Sequence, residues 1–277
     1  MRLAHAVGRH SQLRESGFEP AKSRESHTRG FGKLTLVVSR FQGLAVARVI
    51  DYKWVMSSSD MKKPLDVDTL CAEARRFAEI ESTHPEPAIY GVTDGKAVGT
   101  YFEHKFQGYL QTKYDYERGC SAKGIDFPVL GVDMKVTSVR QPQSSCPYKD
   151  ARQKIYGLGY SLLLFVYEKS DDPNTKTGRL NILHTIFIEA QQTGDYQTTT
   201  GILRVLNNNG NKDDLIAFMS ERMLPVEEIQ AAEIADEILR KPPIVGYLTI
   251  SNALQWRLQY SRVIEEAGNV AGIHRLR

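Results

Sequence analysis

The chain is 277 residues long and 41% hydrophobic, enough for one sizeable core. It has no run of eighteen apolar residues to span a membrane, and its three cysteines, Cys71, Cys120 and Cys146, are an odd number without paired metal-ligand spacing, which excludes a disulfide scaffold or zinc module and points to a reducing cytoplasm. Of the 36 bases and 33 acids behind the net charge of +3, ten bases and five acids fall in residues 1–60, so the other 217 residues hold 26 bases and 28 acids. Bulk charge therefore gives the main part of the chain no general affinity for polyanions.

Residues 1–32 are rich in Arg, Ser, Gly and His and lack periodicity, which reads as a poorly ordered basic extension reaching to about residue 60, with a short apolar stretch at 34–38 and 44–47 that suits a strand or hairpin. The folded part is expected over 61–277 as a single domain. Asp66 or Asp68 is placed to cap a helix running to about residue 80, with Leu70, Ala74 and Phe77 on one face. The Asp94-Gly95 turn introduces a second helix over 96–114, striped by Val98, Phe102, Phe106, Tyr109 and Leu110. Two short strands follow at 125–130 and 132–140, then a polar loop at 141–147 and a helix at 149–156. Strongly β-forming runs at 158–167 and 180–188 flank a turn-rich segment, 170–178. The last third reads as helices at 196–206, 213–223, 225–240 and 253–267, with a short strand at 246–250. This order implies an α/β fold, a mixed β-sheet flanked by helices, with a helical C-terminal part from about residue 195.

The stretch from Gly124 to Ser138 is the most informative. In a strand Val132, Met134 and Val136 face one side, while Asp133, Lys135 and Thr137 face the other. Asp126 lies seven residues before Asp133, a distance at which a short hairpin returns the two carboxylates to one place. Such a pair suits Mg²⁺, a hard cation that prefers oxygen ligands and retained waters. Beside a phosphodiester that ion polarises the phosphoryl oxygen and lowers the pKa of a bound water, and a nearby lysine positions the water. The triplet Asp/Glu-x-Lys occurs five times in the chain, and only Asp133/Lys135 lies in an alternating apolar strand with an acid upstream at hairpin distance.

With Gly95 to Glu103 before them and Ala151 to Gly157 after them, these residues resemble the PD-(D/E)xK nuclease superfamily, specifically type II restriction endonucleases, over residues 91–190. The residue before Asp126 is Ile125 rather than the motif's proline. The resemblance implies that Asp126 and Asp133 hold Mg²⁺, that Lys135 positions the water, that Glu103 is an outer acid, and that Gln153 orients the metal-bound water or contacts the DNA backbone. It also implies double-stranded DNA as substrate, a homodimer matched to a two-fold site, and a protective DNA methyltransferase as functional counterpart. The spacing of Asp126, Asp133 and Lys135 is similar to that of a MutH-like nicking enzyme of mismatch repair, which is the runner-up. A non-catalytic DNA-binding protein with structural acids is the alternative from another class.

Between Lys135 and Tyr156 five bases face one acid. Arg140, Gln141, Gln143, Ser144, Ser145, Lys149, Arg152 and Lys154 form the candidate DNA-binding set, since bases hold phosphates and Gln and Arg have the fork geometry to read purine edges. The apolar stripes of 225–240 and 253–267 are candidate dimer surfaces. The seven histidines form no metal-ligand pair at helical spacing, and neither a Walker loop nor a Gly-x-Ser-x-Gly elbow is present.

Overall fold

Helix α1, Val67–Thr83, begins where Asp66 accepts the Thr69 N–H at 2.7 Å, and α2, Gly95–Gln111, begins where Asp94 accepts the N–H groups of Lys96 and Ala97. Both caps satisfy amides that the first helical turn leaves without partners. This computed structural model describes residues 62–119, 124–146, 149–251 and 256–277, all within the unit Ser58–Arg277; the expected basic extension lies outside the described residues. The remaining elements are β1 (Lys63–Pro64), β2 (Tyr114–Asp115), β3 (Val132–Ser138), β4 (Gln143–Cys146), α3 (Arg152–Tyr156), β5 (Ser161–Asp172), β6 (Thr177–Ile188), α4 (Tyr196–Asn207), α5 (Lys212–Glu221), α6 (Glu228–Arg240), β7 (Thr249–Ile250), β8 (Trp256–Gln259), α7 (Ser261–Glu266) and β9 (Ile273–Arg275).

The central sheet has the order β3-β5-β6-β9, with β3 and β5 parallel and the other pairs antiparallel, so it is mixed and β3 is an edge strand. Alternation gives it two different faces. Met134, Leu163, Phe165 and Ile182 pack with Phe77, Phe102 and Phe106 of α1 and α2. Ring centroids in the Phe77/Phe102/Phe106/Phe165 group lie 4.7 to 5.4 Å apart, a spacing at which aromatic pairs add to simple burial. On the opposite face Leu162, Leu164, Val166, Ile186 and Ile188 meet Cys146, Trp256, Leu258 and Tyr260 from a second sheet of order β4-β8-β7. A third cluster joins Ile155 of α3 to Ile202, Leu215, Met219, Ile234 and Ile238 of α4, α5 and α6. No helix among the described residues is long and apolar enough to cross a membrane.

Four expectations change. Residues 125–130 form a tight turn, not a strand: only Phe127 pairs with Val132, Leu130 N–H donates to the Phe127 carbonyl at 3.1 Å, and Gly131 takes φ +62° to bring the chain back. Pro128 has no N–H to give a ladder, which is why the apolar run does not extend. Residues 143–146, read as part of a polar loop, are strand β4, stabilised by pairing with a segment more than a hundred residues away. Of the helix expected over 253–267, Trp256–Gln259 is β8 and Ser261–Glu266 is the short α7, while 253–255 lie outside the described residues. Trp256, Leu258 and Tyr260 are buried while Arg257 and Gln259 are exposed, a period of two rather than 3.6. Finally, β9 completes the sheet on β6 although three residues gave too short a pattern to read.

Candidate active site

Strand β3 carries Asp133 and Lys135 on the face that the second sheet covers, opposite Leu162 and Leu164 of β5. Asp133 is therefore only 3% exposed. Its Oδ2 lies 2.7 Å from Lys135 Nζ. The turn ahead of β3 returns Asp126 to the same place: its Oδ2 accepts the Met134 N–H at 2.9 Å, and its carboxylate stands against that of Asp133 in hydrogen-bond contact. Glu103 reaches the group from α2, half-buried and close enough to feel the charges of Asp126, Lys135 and Asp133.

The electrostatics follow from three carboxylates and one ammonium sharing a poorly solvated space. Burial lifts the Asp133 carboxyl; Lys135 draws it back, Asp126 adds to the rise, and the group is pushed up to about 6. Burial and the charge of Asp126 push Glu103 up to about 7 against the pull of Lys135. Burial opposes the Lys135 ammonium, but Asp133, Asp126 and Glu103 outweigh it and raise its pKa. The cluster is short of positive charge, and its donors are oxygens at the sheet edge. That chemistry fits a hard divalent cation, which needs only one or two carboxylates when it keeps its waters. Among the described residues no group of three or more His, Cys, Asp or Glu side chains is placed to hold a metal ion, so Asp126 and Asp133 are the two acids here that would hold one.

The other expected residues separate into two groups. Arg140, Gln141, Lys149 and Ser145 are exposed, and Gln143 is half-buried on β4. Thr137 ties this strand to β3: its hydroxyl accepts the Gln143 N–H at 3.1 Å and donates to the Gln143 carbonyl at 3.0 Å. Ser144 instead turns inward, its Oγ 2.5 Å from the Tyr260 hydroxyl. Gln153 is 8% exposed, and its Oε1 accepts the Lys149 N–H at 3.0 Å, which closes the turn before α3. Arg152 is ion-paired with Glu237 at 2.7 Å and with Asp150 at 3.3 Å. Lys154 is 4% exposed, 3.8 Å from Asp195 and 5.8 Å from the Trp256 ring centre, so an internal pair replaces the DNA-facing charge expected there. Burial lowers the Lys154 pKa despite Asp195.

No sequence pattern pointed to the polar lining around Asp133. Cys146 Sγ lies 3.8 Å from the Tyr160 hydroxyl, and burial, then Cys146 and Asp133, raises the pKa of Tyr160; Tyr260 is likewise raised by burial, with Asp133 adding to it against Ser144. These residues come from β4, the position just before β5 and the position just after β8, and no local pattern links such distant positions.

A mixed sheet flanked by helices, with an acidic pair and a lysine at its edge, defines a restriction-endonuclease-like nuclease core. The comparisons with known proteins agree. Residues 64–275 match the family described as type II restriction enzyme NspV. The chain is 65% identical over 209 residues to the type II restriction enzyme NspV of a Nostoc species, covering 76% of this chain and 95% of that protein. The chain belongs to this family, and it is a site-specific deoxyribonuclease of the type II restriction kind. This displaces the non-catalytic alternative. DNA is its substrate, and enzymes of this type generally use divalent metal ions. No solved structure matches the chain.

Proposed function

We propose that the enzyme hydrolyses both strands of double-stranded DNA with Mg²⁺ held by Asp126 and Asp133, and that residues 61–277 carry the reaction. The observation behind this is the convergence of Asp126, Asp133 and Lys135, with Lys135 Nζ 2.7 Å from Asp133 Oδ2. A bound divalent ion would supply Lewis-acid polarisation of the phosphoryl oxygen and a more acidic water. Lys135 donates to the attacking water and places positive charge beside the phosphorane-like transition state, while Asp133 fixes its ammonium. Asp126 is held by the Met134 amide, so its carboxylate is already oriented before the ion arrives. Glu103 serves as the outer acid behind the pair. Gln153 acts on this site by fixing the Lys149 turn rather than by touching the water.

A two-fold dimer cutting a palindromic site is the simplest route to a double-strand break, and a host using such an enzyme needs a methyltransferase that protects the same site. A cytoplasmic setting follows from that role. Digestion of a plasmid of known sequence with purified protein and Mg²⁺ tests the reading: discrete fragments are expected, and Asp133→Ala should abolish them while DNA binding persists in Ca²⁺. Fragments produced at the wild-type rate by Asp133→Ala would remove Asp133 from the chemistry.

A further inference from the structure

The pairing register of the second sheet places six polar side chains on one outer face. Gln143 of β4 is opposite Gln259 of β8, which is opposite Thr249 of β7. One pleat along, Ser145 is opposite Arg257, and Ser251 continues the row, with its N–H donating to the Arg257 carbonyl at 3.1 Å and its Oγ accepting the Arg257 N–H at 3.2 Å. The alternate residues, Ser144, Cys146, Leu258, Trp256 and Ile250, turn the other way, all but the half-buried Ser144 fully buried over the central sheet. Arg257, Gln259 and Ser145 are exposed. None of the six is acidic.

We propose that this face reads base edges in the major groove, with Arg257 and Gln259 as specificity-determining residues; the inference rests on the nuclease reading above. The two rows have the dimensions of duplex DNA. Residues two apart in a strand are about 6.8 Å apart, or two steps of about 3.4 Å along a DNA strand. A major groove of about 12 Å admits a two-stranded ribbon, and β4 and β8, about 4.8 Å apart, are the pair that carries Gln143, Ser145, Arg257 and Gln259. Arg bonds in bidentate fashion to guanine and Gln to adenine, while Ser and Thr accept either donor pattern. Exposed Arg140 and Lys149 flank β4 at its two ends, where they meet phosphates that set register without reading sequence. The Thr137 hydroxyl joins this platform to β3, so a change of base contact is felt one strand away from Asp133 and Lys135.

The test is cleavage of a randomised duplex pool by the full chain with Mg²⁺, with the cut ends sequenced, for wild type, Arg257→Ala, Arg257→Lys, Gln259→Ala and Ser145→Ala. Each of the first three variants is expected to relax preference at one base pair and its symmetric mate by a factor on the order of 10 to 100, with an unchanged melting temperature. Arg257→Lys should behave like Arg257→Ala, because it keeps the charge and loses the fork. Ser145→Ala should shift preference by less than tenfold. An unchanged sequence profile with a uniform fall in rate, or wild-type discrimination by Arg257→Lys, would overturn the assignment in favour of a phosphate contact. Unfolding of Arg257→Ala or Gln259→Ala would overturn the solvent-facing placement. If wild type yields no discrete cut site, it is the underlying nuclease reading that fails.

Discussion

Glu73→Gln tests whether the helical layer behind the active-site sheet is held by charge as well as by its phenylalanines. Glu73 is 1% exposed on α1, and its carboxylate accepts from the Tyr109 hydroxyl at 2.5 Å, the Tyr114 hydroxyl at 2.9 Å, Lys113 Nζ at 2.8 Å and Arg76 at 2.9 Å. Burial alone would raise its pKa, but Lys113, Tyr109 and Tyr114 reverse the effect and hold it at about 2 against an ordinary 4.5. That difference corresponds to about 3 kcal/mol of folding stability. The folded pKa is depressed, so this stability is fully present above the unfolded value, falls as pH drops below about 5, and is gone near pH 2. Glu73→Gln keeps the shape and removes the charge. Denaturant unfolding from pH 7 to pH 3 should show the variant weaker by about 2 to 3 kcal/mol at pH 7, with the gap closing as the wild type acidifies. A gap that stays constant across that range would show that Glu73 acts through packing and refute the charge argument.

Two further outcomes follow from the neighbours of the site. Lys154→Met should cost about 3 to 5 kcal/mol in thermal or denaturant unfolding, because Asp195 is left as a buried carboxylate without its cation, whereas the salt slope of DNA binding should stay the same; adding Asp195→Asn should restore most of the stability. A changed salt slope with normal stability would return Lys154 to the DNA interface. Thr137→Val should remove the hydroxyl's bonds to the Gln143 N–H and carbonyl, at about 0.5 to 1.5 kcal/mol because the N–H keeps the Gln141 carbonyl at 2.8 Å, and reduce cleavage more than DNA binding, as measured by single-turnover rates beside gel-shift affinities.

Much of the candidate site was legible because it is local. Asp126, Asp133 and Lys135 lie within ten residues, and the alternation of β3 with a glycine-closed turn before it is enough to bring two carboxylates and an ammonium together. The caps at Asp66 and Asp94 and the amphipathic stripes of α1 and α2 were legible for the same reason: each depends on neighbours three or four residues away. The candidate DNA-binding set divides by burial. Exposed Arg140 and Lys149 and buried Lys154 have the same charge in the sequence, and only the folded environment distinguishes them.

What the sequence by itself determined is therefore the α/β class, the acidic pair with its lysine, and the helices that back the sheet, since helix periodicity, capping and tight turns are set over a few residues. Tertiary structure decided that Gln143–Cys146 is a strand, that Trp256–Gln259 is its partner and that Arg257 and Gln259 share its outer face. A short strand has no hydrogen bonds of its own to display. Its identity is fixed by the segment it pairs with, here more than a hundred residues away, and that pairing also decides which polar side chains are left facing solvent.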